Sequence, residues 1–320
     1  MRAMLRLLAL AVLAISAAPA SADTYPSRTV KIIVPFGAGG PADVYARILA
    51  KHLSDETGQS FVVEDRPGAG SLIGTDVVAK SPPDGYTLLL MSNTHTTNES
   101  LIPNKPFKLM RDFVPVASIN YSDLIMVVPP SVPASNVAEF IALAKKEPGK
   151  LNYASSGPGT PYHMAGELFK AMSKTDIVHV PHRASGDARN SVLAGTVQMM
   201  FDAITTMTAL AKDGKVKALA TTGLKRNPLT PDLPTVAETV PGYEATIWLG
   251  LMAPKGTPPE VVAFLNKTVN KTIELPAVKE AWLKQGAIPM PKTPSEFEAY
   301  LNKDIEKWAE VVKVSGATVR

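Results

Sequence analysis

Val34-Pro35-Phe36-Gly37-Ala38-Gly39-Gly40-Pro41-Ala42-Asp43 and Tyr153-Ala154-Ser155-Ser156-Gly157-Pro158-Gly159-Thr160-Pro161-Tyr162-His163 repeat one pattern. An apolar run leads into glycines and small residues, and a proline then opens an amphipathic helical pattern. Glycine permits the tight turn and proline suits the first helical position, so backbone N–H groups are left pointing outward at the positive end of a helix. The chemistry this supports is capture of an anion by dipoles. Phe36, Gly37, Ala38 and Gly39 are the candidates in the first loop. Ser155, Ser156, Gly157 and Thr160 are those in the second, where hydroxyls can also donate to a carboxylate oxygen or a bridging water. Asp43 reads as a cap or brace, because its charge opposes an anion. A plain helix cap by Ser156 or Thr160 is the alternative for the second loop.

Other polar residues fall where they could reach the same ligand. Ser92–Asn98 follows the strand pattern Thr87–Met91, at the sheet edge where ligands of open α/β folds sit, with a solvated loop as the alternative. His163 is a candidate for the cleft wall, against a surface position on its helix. His182 and Arg183 could read a distal carboxylate, Arg183 bidentately, against an exposed basic pair. Asp202 ends the strand pattern Met199–Phe201 and either accepts from the ligand or caps the helical segment after it. Trp248 either walls the cleft or packs in the core.

Several chemistries are excluded. The chain has no cysteine, hence no thiolate and no disulfide. Gly68-Ala69-Gly70-Ser71-Leu72-Ile73-Gly74 has the wrong spacing for a dinucleotide loop, and Pro67 intervenes. His179 and His182 lack a carboxylate or thiolate companion at zinc spacing, with Pro181 between them. No Gly-x-Ser-x-Gly elbow occurs. The expectation is a binder and not an enzyme, without metal or cofactor.

The elements that must position these loops alternate short β-branched runs with longer helical patterns, which reads as α/β with mostly parallel sheets flanked by helices. Strands are expected at Val30–Val34, Phe61–Glu64, Thr87–Met91, Leu124–Val128, Leu151–Tyr153, Ile177–Val180, Met199–Phe201, Ala218–Thr221 and Trp248–Met252. Ser118–Asp123 reads as a loop leading across to a second domain, with a return near Val240–Glu244. The expected domains are 23–123 with 244–320, and 124–243, joined by two crossings that make a hinge. The last stretch is expected to fold back onto the first domain.

Residues 1–22 carry Arg2, Arg6, an apolar run too short for a bilayer span and Ala20-Ser21-Ala22, the features of a cleaved secretory leader. Its loss lowers the formal charge from +4 to +2, because two arginines leave. That balance gives no footprint for nucleic acid.

Pro35–Gly40 with Asp43, Arg66–Gly74, Asp84–Leu88, Ser155–His163, Met200-Phe201-Asp202 and Ala253–Pro258 occur in the order seen in substrate-binding proteins of tripartite tricarboxylate transporters, and the chain resembles that Bug or TctC-like family from about Tyr25 to its C-terminal helix. The resemblance implies a monomeric, two-domain periplasmic binding protein (type II) with a two-strand hinge. It implies closure on a small organic carboxylate held by backbone amides and waters, and delivery to a membrane permease. It also puts Thr94 and His95 beside the ligand and Asp202 near the second loop. The chain departs from the family where His182 replaces an expected tyrosine, Ala184 a glycine, Asp187 a proline and Ser191 an aspartate. A secreted α/β enzyme acting on a carboxylate and a ligand-presenting sensor subunit are the competing functions.

Overall fold

A computed structural model describes residues 25–182 and 184–318. The leader expected at 1–22 and the candidate Arg183 lie outside the described residues. In chain order the strands are β1 (Val30–Val34), β2 (Phe61–Asp65), β3 (Thr87–Ser92), β4 (Phe113–Ser122), β5 (Leu124–Val128), β6 (Asn152–Ser155), β7 (Val178–Pro181), β8 (Met199–Ala203), β9 (Lys217–Thr221), β10 (Ile247–Pro254) and β11 (Ala287–Pro289). The helices are α1 (Pro41–Thr57), α2 (Leu72–Ala79), α3 (Asn93–Leu101), α4 (Leu109–Asp112), α5 (Val137–Lys146), α6 (Pro161–Ser173), α7 (Ser185–Leu193), α8 (Ile204–Lys212), α9 (Pro259–Ile273), α10 (Pro276–Leu283) and α11 (Pro294–Ser315).

These elements form two α/β units. One sheet has six strands in the order β11-β4-β10-β3-β1-β2, and the other has five in the order β7-β6-β8-β5-β9. Both are mixed where mostly parallel sheets were expected. β2-β1-β3 and β7-β6-β8 are parallel, and the remaining pairs are antiparallel. The division has a topological cause. Strands joined through a crossover helix must be parallel, whereas β4, β5 and β10 are strands on which the chain changes sheets. It leaves the first sheet at Ser122, enters the second at Leu124, and returns between Thr221 and Ile247.

Two expected loops are regular structure. Phe113–Ser122 is a ten-residue strand, although Pro115 and the polar Asn120 and Ser122 masked its alternation. It is covered on both flanks by β10 and β11. Asn93–Leu101 is a helix. Its polar sequence Asn93-Thr94-His95-Thr96-Thr97-Asn98 looks solvated, yet all but Thr94 are buried. Thr96 and Thr97 bond back to the Asn93 carbonyl, Thr96 also donates to Asp304 at 2.6 Å, and Asn98 Nδ2 donates to the Gly70 carbonyl at 2.9 Å.

The C-terminal helix α11 does not fold onto the first unit alone. Phe297 and Leu301 pack with Trp248, Met91 and Phe113 of the first unit. Trp308 and Val311, further along, join Phe169, Phe201 and Tyr243 in the core of the second. Hydrophobic residues at both ends of one amphipathic helix therefore tie the two units together. Trp248 is fully in the core, its Nε1 donating to Asp304 Oδ2 at 3.2 Å.

Candidate functional site

A cavity of about 890 Å³ opens between the two units, within the range of small-molecule sites. Six strand-to-helix turns surround it. Gly40, Pro41 and Ala42 line it from the start of α1, Ser71 from α2, and Ser92 and Thr94 from α3. From the second unit come Thr160, Pro161 and Tyr162 at α6, Ala184 and Ser185 at α7, and Ala203, Ile204 and Thr205 at α8. The arrangement follows from the sheets. Each parallel half presents three carboxyl strand ends, and each end turns into a helix whose N-terminus faces the crevice. Among the described lining residues there is no lysine, arginine or histidine, and Asp123 is the one charged side chain.

Of the residues proposed from sequence, Phe36, Gly37, Ala38, Thr94, Ser156 and Thr160 line this single cavity. Among the described residues the amides of Gly37, Ala38, Ala42, Ser156 and Tyr162 find no acceptor in the protein. Thr160 caps α6, accepting from the His163 amide at 3.4 Å while its hydroxyl donates to the Gly157 carbonyl at 2.7 Å.

The other candidates stand behind the loops. Gly39 has φ +74° and its N–H donates to Asp43 Oδ2 at 2.7 Å, so it shapes the turn and Asp43 braces it. Ser155 and Gly157 are turned inward. The Gly157 amide donates to Ser155 Oγ at 3.1 Å, and that hydroxyl pairs with His179 Nε2 at 2.6 Å. His163 is neither in the cleft nor on the surface. It is 4% exposed, its Nδ1 accepts from the Gly159 amide at 3.0 Å, and its ring stacks on His179 with centroids 4.0 Å apart. Burial pushes the His163 imidazole down to about 4, and burial with the neighbouring His163 pushes His179 down to about 3. Both serve as neutral rings behind the loop, His163 accepting its amide and His179 holding the serine that accepts another.

His95 is likewise 2% exposed. Its Nδ1 accepts from the Ser92 amide at 3.1 Å, which leaves Nε2–H to donate to Thr75 Oγ1 at 3.0 Å. Thr75 in turn donates to the Ser71 carbonyl at 2.8 Å. Burial lowers the His95 pKa to about 4. The ring also stands edge-on behind Phe36, centroids 5.8 Å apart. His182 gives its backbone N–H to the Ser155 carbonyl at 2.9 Å and turns its ring toward the Val180 carbonyl.

Asp202 is fully buried and committed to Arg189, whose Nη2 lies 3.2 Å from Oδ1, and to the Ala203 amide at 2.7 Å. It pins α7 to β8, so it shapes the wall and does not form it. For Ser155 and His163 the reason is the same. A glycine loop must be held by acceptors from below, and the polar residues nearest in sequence supply them.

Sequence reasoning missed two parts of the lining. Ala69, Gly70 and Ser71 have φ of +48°, +62° and +79°, a left-handed run in which two members are not glycine, costly backbone of the kind concentrated at functional sites. The Gly-rich stretch is visible in the sequence as one of the family motifs, but nothing local to it marks these three residues as cavity lining. The floor is made by Asn120, Ser122, Asp123 and Leu124 at the crossing, with Ile247 and Leu249 from β10. Burial, with Glu244 nearby, raises Asp123 to about 6, opposed by a hydrogen bond from Asn227 at 2.8 Å.

A family model described as the tripartite tricarboxylate transporter family receptor matches residues 45–317. The chain is 41% identical over 265 residues to a protein encoded in the tcbD-tcbE intergenic region of a Pseudomonas species, covering 82% of this chain and 79% of the relative. It is 39% identical over 277 residues to Protein BugT of Bordetella pertussis, covering 86% and 85%. Among solved structures it is similar to an R. palustris protein with adipate (TM-score 0.80, 34% identity, 92% and 99% covered). It is also similar to MatC of Rhodopseudomonas palustris with bound malate (TM-score 0.76, 31% identity, 90% and 100% covered).

Proposed function

The chain belongs to the tripartite tricarboxylate transporter receptor family, and from that premise we propose that it is a periplasmic solute-binding protein that captures a small organic carboxylate between its lobes and delivers it to a membrane permease. We take residues 23–123 with 244–320 as one lobe, 124–243 as the other and 1–22 as the leader that exports it, acting as a monomer. The observation that carries this reading is the ring of six helix N-termini around one cavity, with no basic side chain among the described lining residues. A hydrogen bond to a charged acceptor contributes roughly 1.5–3 kcal/mol, so two amides from each loop give about 6–12 kcal/mol gross. Micromolar binding needs about 8 kcal/mol net after an association cost of 4–15. One loop alone falls far short, and both together reach only the lower edge of that demand, so burial of the ligand on closure must supply the rest. Both lobes must engage, and ligand then shifts the population toward the closed form.

The transporter role is favoured over an enzyme because the buried Ser155–His179 pair stands outside the cavity lining, its Oγ already accepting from the Gly157 amide, while His163 accepts the Gly159 amide and His95 pairs with Thr75. A thermal-shift screen over organic acids, followed by calorimetry at low and moderate salt, tests the proposal. The expected result is micromolar or tighter binding of a carboxylate with only modest salt dependence, no turnover of the compound, and a monomer by sedimentation. A steep loss of affinity with salt would point to a cation such as Arg183 as the main contact, and chemical conversion of the ligand would overturn the binding reading.

A further inference from the structure

Two residues on the cavity floor keep buried polar atoms without a partner. Among the described residues neither Asn120 Nδ2 nor Asp123 Oδ1 has a hydrogen bond, although the residues are 1% and 2% exposed and both line the cavity. Leaving such atoms unpaired is costly, so a fold retains them where something else completes them. Their surroundings are built. Asn120 is held in register between Leu249 of β10 and Pro289 of β11. Asp123 is oriented by Asn227, which donates to its other oxygen. Gly223 leaves it room, since a Cβ there would sit 2.5 Å from Oδ1.

The two atoms differ in what they require. The Asn120 amide offers a donor, and the Asp123 carboxylate offers an acceptor. An ionised second carboxylate satisfies the first and is repelled by the second. An ammonium satisfies the second only. A hydroxyl, or an uncharged carboxamide, answers both at once. Resting on the reading of the cavity as a carboxylate site, we propose that Asn120 and Asp123 form a specificity subsite for an uncharged donor–acceptor group, so that the preferred ligand is an organic acid whose second polar group is a hydroxyl or carboxamide.

The test is calorimetry on the full mature chain with matched pairs: ω-hydroxy acids and half-amides against α,ω-dicarboxylates of the same chain length, at mildly alkaline pH where Asp123 is ionised. The uncharged termini should bind about tenfold or more tighter than the dicarboxylate of best length. Asp123→Asn keeps the Asn227 contact and removes the charge, and should bring the two classes to within a few-fold. Asn120→Leu should weaken the uncharged-terminus ligand at least several-fold more than a short monocarboxylate, with the melting curve of each variant confirming its fold. Dicarboxylates binding wild type as well as or better than their partners, or an unchanged preference in Asp123→Asn, overturns the subsite and leaves the carboxylate site standing. No binding by any acid of either class overturns both.

Discussion

Three histidines illustrate how residue-scale chemistry was redistributed by folding. His95 and His163 read in sequence as ligand candidates, and His179 as half of a histidine pair that fails zinc spacing. In the fold His163 accepts a loop amide, His179 pairs with the serine that does so, and His95 braces the left-handed turn at Ala69–Ser71 through Thr75. Each has a folded pKa below its ordinary value of 6.5, at about 4, 4 and 3 for His95, His163 and His179. The unfolded chain therefore binds more protons than the folded one between these values and 6.5. The stability these groups contribute is complete above pH 6.5 and is lost progressively as pH falls toward 4. Asp123 and Asp304, raised to about 6 by burial, act in the opposite direction over the same interval. Asp65 and Asp202, also raised, act with them, whereas Asp55, Glu64, Asp112, Glu238, Glu280 and Glu296 are lowered and act with the histidines, so the melting temperature should fall on acidification from pH 6.5 to 4, measured by circular dichroism across a buffer series. His163→Phe should keep the ring stack but strand the Gly159 amide. It should cost about 1–3 kcal/mol in denaturant unfolding, and it should flatten the pH slope. An unchanged slope would show that His163 does not titrate in this way.

Helices at the cleft act through their ends, and α11 acts through its length. At α6 the Thr160 hydroxyl both caps the helix and closes the loop onto the Gly157 carbonyl. Thr160→Ala should cost about 1 kcal/mol of stability and weaken ligand binding more than a cap substitution remote from the cleft, read by paired melting and calorimetry. In α11, Trp308 is 2% exposed and lies in the core of the second unit, while Phe297 of the same helix is buried in the first. Trp308→Ala should cost about 3–5 kcal/mol. Hydrogen exchange should rise in the second unit around Phe169 and Tyr243 ahead of the first. Uniform exchange across both units would mean that the helix does not couple them unequally. The Arg189–Asp202 pair works at the same scale by tying α7 to β8. Removing Arg189 alone leaves a buried carboxylate uncompensated, which typically costs about 3–5 kcal/mol.

Across the whole molecule, the lobes meet at two places beside the cavity. A Cβ added to Gly159 would lie 2.4 Å from Leu101 Cδ2 of the opposite lobe, and one on Gly286 would lie 2.5 Å from Ile204 Cγ2. Glycine at these points permits approach that no side chain allows, and at Gly159 the φ of +75° requires it as well. Gly159→Val should hold the lobes apart, enlarging the radius of gyration in solution scattering with ligand present and weakening affinity at least tenfold. Compaction equal to wild type on adding ligand would remove closure at this contact from the mechanism.

The sequence by itself determined the two glycine–proline loops between strand and helix and most strands and helices to within a few residues, because period, glycine–proline punctuation and apolar runs are local properties. It also singled out Phe36, Gly37, Ala38, Thr94, Ser156 and Thr160, which share one cavity. It misread Phe113–Ser122 and Asn93–Leu101, whose polar residues are buried by partners far along the chain, such as Asp304 for Thr96. Only the tertiary structure decided which polar groups face the ligand space and which hold the loops from behind. It alone brought Asn120 and Asp123 to the floor and joined both cores through α11. Those outcomes depend on contacts between distant residues, and no local pattern encodes where a side chain's unmet hydrogen bond will point.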